Sequence, residues 1–323
     1  GILVQYSVYC CSDRHIIADF LEIYKREKKE DWGKQMKTGL VVEGGGMRGI
    51  YASGVLDAFL KNGIRFDYAV GVSAGGANTA SFLAGQFKRT YRFFHEYGNE
   101  KDFLGMHSYL KTGQYFGLNY MYDTVSSFTG KDPLDISALK RNPTYMEIAA
   151  TDAVTAKAHY FTKDDMRPGN LDILKATCCI PVISKPIVID EVPYFDGGVA
   201  DPLPVQRAFD SGCDIAVVIL SSRWPKEIKK KKKSLLYSHA LKQYPKTLKQ
   251  VYKSDQLRDL ECRLAFEYSR MGKVLVIMPE DDSQMSTLTK DKKLLESFYW
   301  QGYNQAMSMM DLLKEKLQCE SSR

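Results

Sequence analysis

The stretch LVVEGGGMRGIYASGVLDAFLKNGIRFDYAVGVSAG, Leu40–Gly75, holds two glycine-framed turns, each behind a short apolar run. Leu40-Val41-Val42 reads as a buried strand and leads into Gly44-Gly45-Gly46-Met47-Arg48-Gly49. From Ile50 to Lys61, Val55, Leu56, Phe59 and Leu60 share one face at helical spacing, and Gly63 ends the segment. Phe66–Val72 is a second strand that stops at Ser73, and helical spacing resumes from Ala77 to Phe87. Strand, helix, strand, helix is most simply a right-handed crossover between two parallel strands, so the expected class is α/β. Both turns then open at the carboxyl ends of neighbouring strands, the edge on which open α/β sheets bind ligands.

Each turn supplies part of an acyl-transfer site, which needs a nucleophile, a base and donors for an oxyanion. Gly71-Val72-Ser73-Ala74-Gly75 fits G-x-S-x-G, with Ser73 on a strained strand-to-helix turn. Residues two before and two after such a serine are expected to crowd each other, hence Gly71 and Gly75. The helix behind Ser73 directs its positive end at the developing oxyanion. Gly44–Gly46 leave N–H groups open to a substrate oxygen, and Arg48 adds charge for a phosphate or carboxylate. Gly44, Gly46 and Gly49 also fit G-x-G-x-x-G, a dinucleotide fingerprint. That reading expects an acidic residue at the end of the second strand, where the chain has Gly71-Val72-Ser73; Asp67 lies near the wrong end.

The base is less plain. A serine–acid–histidine order would pair Asp196 with His239, one of five histidines, but His239 sits in a basic helical stretch and reads as a solvated position. Asp196 follows an apolar strand end and precedes Gly197-Gly198, which reads as an exposed carboxylate or as an ordinary Asp-Gly turn. On the residues alone both remain open.

Taken together, Gly44–Gly49, Gly71–Gly75 and Asp196-Gly197-Gly198 resemble the patatin-like phospholipases, which share G-G-G-x-[RK]-G, G-x-S-x-G and D-G-[AG] in this order. The resemblance covers about residues 38 to 221. It implies a three-layer sandwich with a mainly parallel central sheet. It also implies a Ser-Asp dyad with Ser73 as nucleophile and Asp196 as base, a glycine-loop oxyanion hole (Gly44, Gly45, Gly46, Met47, Arg48, Gly49), and no metal or organic cofactor. The tail, with Val274–Pro279 and Phe298-Tyr299 to Gly302-Tyr303, is similar to the carboxyl-terminal extension of a bacterial subgroup. Glu43 departs from the Asp or Ser that many members carry there. The implied activity is lipid acyl hydrolysis of the phospholipase A or esterase type. The alternatives are a His239-dependent esterase and a catalytically silent scaffold that binds membrane or a partner. An ordinary aspartate is a poor base for a serine hydroxyl, so the dyad requires desolvation of Asp196. The Tyr- and Phe-rich stretch from Phe103 to Tyr122 is the expected apolar cleft and acyl-chain site.

The expected organisation is an N-terminal helix and linker over residues 1–37, a catalytic domain over 38–222, and a basic, mostly helical extension over 223–323. Further strands are expected at Tyr145–Thr151, His159–Phe161, Ile187–Ile189, Tyr194-Phe195, Ile215–Leu220 and Lys273–Met278. Helices are expected at Leu171–Thr177, Pro204–Asp210, Leu235–Tyr252 with a break at Pro245, Asp255–Arg270 and Asp291–Leu317. The 323 residues include 44% hydrophobic and 26% charged residues, ordinary globular values, with a net charge of +6. Between Arg223 and Lys253 eleven basic residues face the single acidic Glu227, so that stretch is +10 and the rest of the chain −4. Its centre, Lys229-Lys230-Lys231-Lys232-Lys233, is either a solvated loop or a patch for anionic lipid head groups. It lacks interleaved aromatic residues, so nucleic acid is not an expected partner. Seven cysteines without C-x-x-C spacing read as reduced thiols, and no apolar run reaches the roughly 18 residues of a membrane span. A cytoplasmic protein with peripheral membrane contact is the expectation.

Overall fold

A computed structural model of the chain describes residues 36–167, 169–226 and 234–317. The expected N-terminal helix, except Met36 and Lys37, and the Lys229–Lys233 run lie outside the described residues. In chain order the elements are β1 (Thr38–Val42), α1 (Gly49–Lys61), β2 (Tyr68–Val72), α2 (Ala74–Leu83), α3 (Arg89–His95), α4 (Met106–Thr112) and α5 (Ile136–Arg141). They continue with β3 (Tyr145–Asp152), β4 (Ala158–Thr162), α6 (Asp172–Thr177), β5 (Ile187–Ile189), β6 (Val192–Asp196), α7 (Val205–Asp210) and β7 (Ile215–Ile219). The last are α8 (Leu235–Ala240), α9 (Pro245–Val251), α10 (Ser254–Arg270), β8 (Val274–Ile277), α11 (Lys292–Ser308) and α12 (Met310–Lys316).

The strands form one sheet in the order β5-β6-β3-β2-β1-β7-β8, with β4 also paired to β3. The β2-β1-β7-β8 run and the β2–β3 pair are parallel. β1 and β2 meet with Val42 opposite Gly71, as the crossover reading requires. Alternation along the strands feeds two cores. Leu40, Val42, Ala69, Val217 and Ile219 enter one, and Val41, Tyr68, Val70, Ala216 and Val218 the other. The first core is closed by α1, α2 and α11, the second by α7 and α10. A sheet buried on both faces explains why its central strands read as unbroken apolar runs.

Beyond residue 223 the chain stays within this architecture. β8 extends the sheet beside β7, with Val276 opposite Val218. α11 crosses α1 at two glycines: a Cβ on Gly54 would lie 2.1 Å from the Tyr299 carbonyl oxygen, and one on Gly302 would lie 2.2 Å from that of Tyr51. The Tyr299 hydroxyl donates to the buried Asp57 carboxylate at 2.9 Å across the same contact. The expected Leu235–Tyr252 helix is two helices, with Pro245 in the first turn of α9, where its missing N–H costs nothing. The final helix is also divided, at Met309, after a start capped by the Asp291 side chain. Among the described residues no helix is long and apolar enough to cross a membrane.

Candidate active site

Ser73 follows the last residue of β2 and precedes the first of α2, with φ 54° and ψ −128°. A non-glycine residue in this region carries about 1–3 kcal/mol of strain, which its surroundings must offset. Part of the offset is a hydrogen-bond relay: the Ser73 N–H donates to Thr177 Oγ1 at 2.8 Å, and the Thr177 hydroxyl donates to the Ala149 carbonyl at 2.6 Å. Gly71 has the predicted function, since a Cβ there would lie 2.6 Å from Gly76 Cα and 2.7 Å from the Gly75 oxygen. Gly75 does not. Its Cβ would strike the end of β1, 2.2 Å from the Val42 oxygen and 2.6 Å from that of Glu43. The second glycine therefore admits the neighbouring strand rather than relieving the turn.

The glycine loop is seated against this elbow. A Cβ on Gly44 would lie 2.8 Å from Ser73 Cβ. Gly46 has φ +56°, and a Cβ there would lie 2.7 Å from the Thr287 carbonyl oxygen. That same oxygen accepts the Met47 N–H at 3.1 Å. The Arg48 N–H returns to the Gly45 carbonyl at 3.2 Å, and the Gly49 N–H to Gly46 and Met47 as α1 begins. The N–H groups of Gly44, Gly45 and Gly46 have no acceptor among the described residues. Of the loop expected to bind an oxyanion, its first three residues hold the open donors. The Arg48 side chain is mostly buried, its Nε without a hydrogen-bond partner, in the field of Glu43, Arg258 and Asp282. Burial lowers its pKa against the attraction of Glu43. Glu43 is buried, accepts the Ser221 N–H at 2.7 Å and pairs with Arg258 of α10 at 2.5 Å. Its extra methylene over Asp gives it this reach.

Asp196 ends β6, and strand register brings it to Ser73. Along β3, Ala149 is opposite Val72 and Ala150 is opposite Asp196. β4 occupies the other edge of β3 at both positions, so β6 takes over the edge that β2 leaves at Ser73. The Asp196 Oδ1 accepts the Gly198 N–H at 2.8 Å, and the Ser73 hydroxyl is among the groups that act on its carboxylate. Its backbone is fixed by Cys179 and Thr151, each at 2.8 Å. Asp196 is only 7% exposed, so the expectation of an open carboxylate is corrected. Gly197 makes the burial possible: it lies so close to β3 that a Cβ would be 2.3 Å from the Ala149 oxygen. Burial pushes the Asp196 carboxyl up to about 6, against the opposing pull of the Ser73 hydroxyl and the Gly198 N–H. Asp67, the residue weighed as a ribose ligand, instead accepts the Thr38 N–H at 2.7 Å at the opposite end of the strands.

The described histidines are elsewhere. His239 is exposed on α8. His95 stacks on Tyr91, His107 lies beside Asp102, and His159 packs on Phe161. None is a partner of Ser73 or of the Asp196 carboxylate.

Beside Ser73 opens an apolar cavity of about 40 Å³. Phe103, Phe116, Leu118, Met121 and Tyr122 line it, all from the aromatic stretch expected to form the cleft. Tyr109 and Tyr120, from the same stretch, do not. Phe93 and Phe94 of α3 also line the cavity, with Cys178 and Ile180 after α6. Sequence reasoning missed these four and Thr177, because an apolar pair on a helix looks the same whether it faces a core or a cavity.

A family model for patatin-like phospholipases matches residues 40–209. The chain belongs to that family. A second model, for a domain of unknown function (DUF6363), matches residues 261–318. The chain is 28% identical over 196 residues to the uncharacterized protein YjjU of Escherichia coli (strain K12), covering 57% of this chain and 51% of YjjU. It is 35% identical over 94 residues to lysophospholipase NTE1 of Yarrowia lipolytica (strain CLIB 122 / E 150), covering 29% of this chain and 6% of NTE1. It thus spans about half of one curated relative and a small part of the other. Among solved structures, VipD from Legionella pneumophila is similar with a TM-score of 0.43 at 12% identity, over 86% of this chain and 67% of that one.

The patatin-like match contains Ser73, Asp196 and the whole glycine loop. The residues that brace that loop fall outside it. Ser221, Arg258 and Thr287 all follow residue 209, and Thr287 lies in the second matched segment. In this patatin-like protein the later chain therefore supports the mouth of the earlier one.

Proposed function

We propose that the chain is a lipid acyl hydrolase of the phospholipase A or esterase type that works through a Ser73–Asp196 dyad. Ser73 Oγ attacks the ester carbonyl carbon while Asp196 takes its proton. The oxyanion that forms is held by the N–H groups of Gly44, Gly45 and Gly46 and by the positive end of α2. As the tetrahedral adduct collapses, the C–O bond to the alcohol breaks and Asp196 returns the proton to the leaving oxygen. Asp196 next takes a proton from water, which attacks the acyl-serine. The second collapse releases the fatty acid, and the proton goes back to Ser73. On this reading residues 38–222 carry the chemistry and residues 223–323 support it. The lipid is met at a membrane surface, with Lys229–Lys233 as a contact for anionic head groups.

The observation that carries the proposal is a strained serine beside a buried carboxyl at the mouth of an apolar cavity, next to three unpaired backbone donors. A carboxyl titrating at about 6 is a far better base than an ordinary aspartate and is still ionised at neutral pH. Membership of a phospholipase family, and a relative named as a lysophospholipase, support a lipid ester as substrate. A fluorophosphonate probe tests the nucleophile. Labelling is expected on the peptide that contains Ser73 and is expected to vanish in Ser73→Ala. An unlabelled wild-type protein would favour the silent scaffold.

A further inference from the structure

α4 is a short excursion whose foot lines the cavity, and its outward side exposes Met106 and Leu110 beside His107 and Lys111. The chain reverses at Gly105 (φ +124°) and Gly113 (φ +74°), on either side of Met106–Thr112. The base is closed by an antiparallel bridge between Leu104 and Phe116, with the Gly105 N–H on the Tyr115 carbonyl at 2.8 Å and the Gly117 N–H on that of Phe103 at 2.9 Å. Phe103 and Phe116, at the foot of the excursion, are buried and line the cavity beside Ser73. At the tip the pattern reverses. Ser108 is the buried side of α4, bonded to the Gln114 carbonyl, while Met106 is 61% and Leu110 79% exposed.

Lysines surround this tip. Lys290 donates to the Leu104 carbonyl at 2.5 Å, the exposed Lys185 approaches Gly113, and Lys111 on α4 is 61% exposed. Asp102, before α4, is paired with Lys111 at 3.0 Å. Exposed apolar side chains ringed by cations, on an excursion whose foot lines the apolar cavity, match the profile of a bilayer surface, apolar below and anionic at its head groups.

The geometry points to α4 as the element that seats the enzyme in an anionic phospholipid surface. Met106 and Leu110 enter the acyl-chain boundary, Lys111, Lys185 and Lys290 meet the phosphates, and the cavity mouth lies where a lipid leaves the layer. The inference rests on the acyl-hydrolase reading for its purpose, but it concerns residues other than the dyad and other than the Lys229–Lys233 run.

The test is sedimentation of the full chain with vesicles of phosphatidylcholine and phosphatidylglycerol. The double variant Met106→Ser/Leu110→Ser should bind at least about tenfold more weakly than wild type, given the apolar area withdrawn. Its hydrolysis of a soluble short-chain ester should be unchanged. Ser73→Ala should bind as wild type does. In Leu110→Trp the new indole emission should shift to the blue when vesicles are added. Unaltered vesicle binding by the double variant, or no emission shift, overturns the proposal. So does loss of binding only when Lys229–Lys233 are all changed to Gln, or a wild-type dimer that the double variant breaks while vesicle binding persists. Ester cleavage with unaltered binding by the double variant removes the surface and leaves the dyad standing. Binding lost in the double variant, with no ester cleaved by wild type, does the reverse.

Discussion

At the scale of single residues the account turns on one carboxyl. Folding raises Asp196 from 3.8 to about 6, chiefly by burial. Between about pH 4 and 6 the folded protein therefore holds more protons than the unfolded one, so stability falls as pH rises through that window. At neutral pH the ionised group costs about 3 kcal/mol. Asp196→Asn is expected to remove most of this cost and to raise the melting temperature at pH 7 while changing it little near pH 4. Thermal scans of both proteins across that range check the sign. For the same reason kcat/KM of the wild type should fall as pH drops through about 6, with the slope of a single protonation. A second residue carries a steric prediction. Gly75→Ala puts a methyl into the end of β1 and should destabilise the fold by more than about 2 kcal/mol in denaturant titration. Ser73, Asp196 and their glycines stand out in the sequence as motifs. A desolvated Asp196 followed only from the resemblance, because on the residues alone Asp-Gly-Gly looks like a surface turn until the register at Ala150 is known. Gly75 was assigned the wrong obstacle for a related reason: its obstacle comes from the neighbouring strand, not from its own turn.

At the scale of elements, the βαβ unit and most later strands followed from apolar runs and their spacing, since both signals are local. What the sequence hid was which helix faces which. The crossing of α1 and α11 depends on Gly54 and Gly302, two residues that in isolation only weaken a helix. Gly302→Val should force these helices apart and cost about 3 kcal/mol or more, measurable as a lower denaturation midpoint. Tyr299→Phe should cost about 1–3 kcal/mol by taking a donor from the buried Asp57 carboxylate. The division of the last helix at Met309 also escaped sequence reasoning, because neither proline nor glycine marks it.

At the scale of the molecule, one sheet joins the patatin-like segment to the residues that follow it. β8 covers the edge of β7, and the later chain supplies the Thr287 carbonyl and the Arg258 guanidinium behind the glycine loop. Those contacts span more than any local pattern reports, so the sequence offered an extension where the fold has a support. The central claim remains that Asp196, and no histidine, is the base for Ser73. It is tested most directly by kcat/KM for one soluble ester in wild type, Asp196→Asn and His239→Ala. The account predicts a loss of about 10³-fold in Asp196→Asn and a change within about twofold in His239→Ala. Near-wild-type activity in Asp196→Asn, or a collapse of activity in His239→Ala, would contradict it.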